Sequence, residues 1–91
     1  MWDQPVRFAP TTAVYYESGS YIVHNYAIHS WIVVSRDDYA VISRLQYQRM
    51  TPNEAVSWLV SHRGLSAAEA RRKVGRLILL LRANKIAALP G

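Results

Sequence analysis

Ser35-Arg36-Asp37-Asp38, Thr51-Pro52-Asn53-Glu54 and Ser66-Ala67-Ala68-Glu69 repeat one pattern at intervals of about 15 residues. Each places a hydroxyl at a helix N-cap position and a carboxylate three residues later. The hydroxyl can accept from the N3 amide while the carboxylate reaches back to the N-cap amide. Thr51-Pro52 adds a proline at N1, where a missing N–H is no loss. The Asp38 box is the weakest, because Glu or Gln is the usual N3 partner. Each pattern leads an apolar-periodic run, so the segment after Ser35 reads as a compact three-helix unit.

The first predicted helix, about Arg36 to Gln48, has Tyr39, Val41, Ile42 and Leu45 on its inner face. The second, Pro52 to about His62, buries Ala55, Val56 and Leu59, and Arg63-Gly64 ends it with a left-handed glycine. Trp58 falls off the centre of that stripe and is expected to be half-exposed. Leu65 can staple onto the third helix, Ala67 to about Asn84. There Ala67, Ala70, Val74, Leu77, Ile78 and Leu81 lie within an arc of about 100°, a core stripe. Arg71, Gly75 and Arg82 flank it on one side, Lys73 and Leu80 on the other, and Arg72, Arg76 and Leu79 face outwards. Gly75 in mid-helix costs about 1 kcal/mol relative to alanine. Close approach of another backbone to that flank is the expected reason.

Everything before Ser35 reads as strand. Thr11 to Glu17 is β-branched and aromatic, Ser18-Gly19-Ser20 is a turn, and Tyr21 to Tyr26 returns as a second strand. His29 to Val34 is a third, ending at the first cap. Residues 1–10 carry two prolines and read as an N-terminal arm on a single domain, 11–91. The predicted fold is therefore α+β and winged-helix-like: a three-stranded antiparallel sheet followed by a three-helix bundle.

Composition excludes several function classes. Hydrophobic content of 51% rules out a disordered chain. The longest apolar run, Leu77 to Leu81, is far short of a membrane span. Met1 to Pro5 lacks the basic and apolar regions of a signal peptide, so a cytoplasmic protein that uses no membrane is expected. Without cysteine there is no thiolate site. His24, His29 and His62 show no metal-ligand spacing, and no glycine-rich phosphate loop or nucleophile motif is present. No metal, cofactor or catalytic residue is expected, and the chain does not read as an enzyme. Its +5 charge is concentrated in Arg71, Arg72, Lys73, Arg76, Arg82 and Lys85. That clustering makes the last helix the expected electrostatic surface without choosing among anionic partners.

The run Trp31-Ile-Val-Val-Ser-Arg-Asp-Asp-Tyr-Ala-Val-Ile-Ser-Arg-Leu resembles the PqqD-like proteins, the recognition elements for precursors of ribosomally made, modified peptides. The likeness continues through Met50-Thr-Pro-Asn-Glu-Ala-Val and His62-Arg-Gly-Leu-Ser to the closing Leu-Leu-Leu-Arg-Ala-Asn-Lys-Ile, so it covers about Tyr21 to Ile86. Gln48-Arg49-Met50 departs from the Asp-Gly that often follows the family's first helix. The resemblance implies a non-catalytic peptide chaperone. It would bind the leader of a precursor peptide by strand addition and present it to a modifying enzyme, often a radical-SAM enzyme.

The third strand is an edge that lacks the lysine or proline of a protected one. On this reading the peptide site is Trp31, Ile32, Val33 and Val34 with Arg71 and Gly75 lining it and Arg72, Arg76 and Leu79 beside them. Three alternatives stay open. The N-terminal arm covers the edge; two copies pair edge to edge instead of remaining monomeric; or the helix at 67–84 is the recognition helix of a DNA-binding protein. Against the last, the Ser18-Gly19-Ser20 tip is uncharged and Leu79 and Leu80 sit poorly against DNA, so no specific nucleic acid is expected.

Overall fold

The computed structural model describes residues 1–90. In chain order the elements are β1 (Arg7–Phe8), β2 (Thr12–Glu17), β3 (Ser20–Asn25), β4 (Ser30–Val34), α1 (Arg36–Tyr47), α2 (Pro52–Arg63), α3 (Ala67–Ala83) and β5 (Ala87–Ala88). Strands β2, β3 and β4 form an antiparallel sheet in that order, and β1 pairs with β5 in a separate two-stranded ribbon. The expected α+β architecture of three strands followed by three helices is present. The ribbon is an addition that two-residue strands gave no pattern to announce.

The three caps form as the hydroxyl spacing requires. Ser35, Thr51 and Ser66 side chains accept from the amides of Asp38, Glu54 and Glu69. Only the second and third boxes close reciprocally, through the Glu54 and Glu69 carboxylates. Aspartate lacks the reach of glutamate, and the Asp38 carboxylate instead meets Lys73 of α3. Gly64 ends α2 in the left-handed region, at φ 68°.

One apolar face of the sheet meets the helices. Val23 and Val34 from the sheet, Ile42 and Leu45 from α1, Leu59 from α2, and Val74, Leu77 and Leu81 from α3 are all buried. At about 1.5–3 kcal/mol for each large side chain removed from water, this face supplies the main drive for folding. Tyr21 and Tyr39 meet at 4.7 Å between ring centroids and seal the sheet against α1.

The C-terminal end of α3 is tied back to the sheet by polar groups. Buried Asn25 donates to the Lys85 carbonyl at 2.9 Å and accepts from the Thr11 hydroxyl at 2.6 Å. The Ser30 hydroxyl donates to the Asn84 carbonyl at 2.8 Å. These bonds satisfy carbonyls that a helix end leaves without partners.

The arm is part of this packing. Val6 is buried in the core, Arg7 and Phe8 pair with Ala88 and Ala87, and the Trp2 carbonyl accepts from the Asn53 amide at 3.0 Å. The arm therefore runs to the C-terminal strand and the start of α2. Its strand pairs with β5, and among the described residues β4 pairs only with β3.

Candidate functional site

The β2–β3 connection decides which backbone groups of β4 are free. Ser18 and Gly19 both have positive φ, 51° and 83°, the pattern of a two-residue type I′ hairpin. Its closing pair, Glu17 with Ser20, exchanges both hydrogen bonds, so Ile22 and His24 also bond towards β2. By alternation Tyr21, Val23 and Asn25 bond towards β4, to Val34, Ile32 and Ser30. The N–H and C=O groups of Trp31 and Val33 are therefore left on the open edge of the sheet.

Helix α3 runs beside that edge and is held at two points. Lys73 Nζ lies 3.0 Å from Asp38 Oδ1, just beyond the end of β4, and Asn84 bonds to Ser30 at its start. At 100° per residue, Lys73, Leu77, Leu80 and Asn84 fall within about 60° of one another. This side of α3 faces the strand. Leu77 is buried and Leu80 is 36% exposed, while half-buried Ile32 and buried Val34 point inward from β4. From these placements we infer a cleft along the free edge of β4, with Ile32 and Leu80 towards its floor, the free backbone donors and acceptors on one wall, and Lys73 at one end.

The sequence-predicted residues divide three ways. Ile32 and Val34 face the helices and contribute to the cleft. Trp31 and Val33 supply the free backbone groups, but their side chains point to the outer face of the sheet, 60% and 62% exposed. Arg72, Arg76 and Leu79 share an open depression with Lys73 and Gly75 on the outward surface of α3. Arg76 lies about 60° round the helix from Lys73, nearer the strand-facing side than Arg72 or Leu79.

Arg71 and Gly75 do not line the cleft. A Cβ built on Gly75 would meet the Trp2 ring at 3.6 and 3.7 Å, so the indole covers that flank. Arg71 lies on the same flank, about 40° round the helix from Gly75. The glycine accommodates an aromatic side chain from the arm, whereas the expectation was a backbone or a bound peptide. The periodicity divided α3 into two flanks correctly, but it carried no information on which one the strand approaches. Lys73 is the cation that the sequence reading left out of the site. Its pairing with Asp38 depends on how α1 and α3 are placed.

Among the described residues no three His, Cys, Asp or Glu side chains are grouped to hold a metal ion, and no helix is long and apolar enough to cross a membrane. Trp58 is half-buried, as its position on α2 required, with the Arg44 guanidinium 4.0 Å and that of Arg63 4.7 Å from its ring centroid. This contact ties α1 to α2. Glu69 is held below the ordinary carboxylate range by its hydrogen bonds with Ser66, an effect of capping.

No family model matches the chain, and no curated protein does. Among solved structures, the chain is similar in fold to "Lasso peptide synthetase B1 complexed with the leader peptide". The TM-score is 0.79 at 19% identity, over 94% of this chain and 99% of that one.

Proposed function

We propose that this domain binds the leader segment of a ribosomally made precursor peptide as an added strand on β4 and presents it to a modifying enzyme. The observation that carries the reading is the open edge itself. Trp31 and Val33 leave their backbone groups unpaired beside an apolar cleft, with no proline, lysine or covering segment to protect them. An extended peptide satisfies those groups through main-chain hydrogen bonds and places alternate side chains against Ile32 and Leu80. Lys73 and Arg76 favour an acidic residue near one end. Support comes from the fold, shared with a protein solved with a leader peptide bound, and from the PqqD-like resemblance of residues 21–86. That resemblance points to a radical-SAM enzyme as the partner that receives the peptide, with this chain holding substrate and doing no chemistry.

The test is an NMR titration with the leader of a short precursor encoded beside the gene. Shifts are expected at residues 31–34 and 73–80. Val33→Pro should weaken binding by more than about tenfold, since it removes a free amide and obstructs the edge. The fold should survive, because that amide makes no bond to β3. Shifts confined to α2 or the β2–β3 turn would overturn the assignment.

A second reading draws on Arg72 and Arg76, which make no ion pair among the described residues. These cations attract duplex DNA, but with Leu79 65% exposed beside them the contact is expected to be weak and salt-sensitive. Nanomolar, sequence-selective DNA binding at physiological salt would reverse the order of the two readings.

A further inference from the structure

The outer face of the sheet, away from the helices, is ordered in rows. Antiparallel register aligns Ala13, His24 and Trp31 in one row and Tyr15, Ile22 and Val33 in the next. Their aromatic members are in contact. The Trp31 and Tyr15 rings meet the His24 ring nearly edge-on at 6.0 and 6.4 Å between centroids, and the Tyr15 hydroxyl lies 3.4 Å from His24 Nδ1. No Asp, Glu, Lys or Arg stands in either row. Both rows stop at β4 with a large apolar side chain more than half exposed, and the same two residues carry the free backbone groups of the edge.

We propose that Trp31 and Val33 are specificity determinants, selecting a peptide strand with an aromatic or β-branched residue at each outward position opposite them. The proposal rests on the strand-addition reading and deepens it: the peptide is read on both faces. Pairing with Trp31 and Val33 is direct, because a peptide residue hydrogen-bonded to the free groups of either places its side chain next to it on the same face. Aromatic and β-branched cross-strand pairs are among the favourable ones, whereas a lysine or aspartate there would sit over exposed apolar surface. Each such pair should change affinity by about two- to fivefold. The inward positions against Ile32 and Leu80 supply the second, independent pattern, with an acidic residue near Lys73.

A random decapeptide display library, selected in parallel against the wild-type chain and the Trp31→Ser/Val33→Ser variant, tests this. Both replaced side chains are mostly exposed, so the variant should fold, and its melting transition checks that it does. Wild-type-selected peptides are expected to show two interleaved two-residue patterns, one rich in aromatic and β-branched residues and the other apolar with an acidic end. The variant should lose the first and keep the second. With one selected peptide, serine at its outward aromatic position should weaken binding to the wild-type chain two- to fivefold and leave the variant unaffected. Equal losses in both backgrounds, or identical selected patterns, would overturn the outer-face proposal. Failure of Val33→Pro to weaken the selected peptides, or a library that yields no binder, would instead overturn strand addition itself.

Discussion

The two flanks of α3 have similar composition and different fates. One carries Arg71, Gly75 and Arg82, the other Lys73, Leu80 and Asn84, so each presents at least one cation beside the apolar stripe. Trp2 fills the first, lying against Gly75 with its carbonyl bonded to the start of α2. The second runs past β4 and stays open between its two attachments, at Lys73 and at Asn84. The chain covers one flank at Gly75 with its own arm and leaves the other open beside β4, where the proposed reading puts the added strand. Mid-helix glycine therefore marks the occupied flank, because the missing Cβ makes room for an indole already in place.

The largest effect expected from breaking this comparison is on stability. Trp2→Ala should destabilise the fold by about 2 kcal/mol, somewhat below the usual loss for a fully buried tryptophan because Trp2 is only half-buried. The melting temperature should fall by about 8–16 °C. Affinity for the leader peptide, measured well below the melting point, should stay within about twofold. A large loss of affinity in the folded variant would mean that the arm belongs to the binding site.

Charge reversal separates the flanks at the next level. Lys73→Glu removes the cation at the end of the cleft and sets two carboxylates together with Asp38. It should weaken an acidic peptide by about five- to tenfold at low salt, with the difference shrinking as salt rises. Arg71→Glu makes the same charge change on the closed flank and should leave affinity within about twofold at physiological salt, where charges beyond a Debye length are screened. Equal effects from the two variants would show that only net charge matters and that α3 has no binding side.

Gly75 gives the sharpest contrast, with the smallest single effect expected from alanine. The Cβ of Gly75→Ala would make ordinary van der Waals contact with Trp2, so alanine should stabilise by about 0.5–1 kcal/mol through helix propensity, read by denaturant melts. Gly75→Leu should instead displace the indole and destabilise by about 1–3 kcal/mol, the usual cost of overpacking. Neither should alter peptide affinity. A leucine variant of undiminished stability that binds peptide poorly would return Gly75 to the site.

The sequence by itself determined the elements. Hydroxyl–carboxylate caps, β-branched runs and the glycine-centred turn act over a few residues, so their consequences can be read locally, although the turn is two residues long where the sequence suggested about three. The three helices begin where those caps require, and the strands fall within a residue of their expected limits. That β4 is an edge followed from the sequence only if it pairs with β3, and the strand order of the sheet supplies that pairing. Only the tertiary structure decided what surrounds α3. A stripe on a helical wheel has two flanks, and propensity is blind to which of them meets the sheet. The ion pair of Lys73 with Asp38, 35 residues away, and the bond from Ser30 to Asn84, 54 residues away, settle that question. An arm that docks on the body through Trp2 and Phe8 is legible from the sequence, but the ribbon of β1 and β5 and the choice of Gly75 as the partner of Trp2 were hidden for the same reason: each joins the arm to a segment far along the chain, and each half acquires its meaning only when the other is in place.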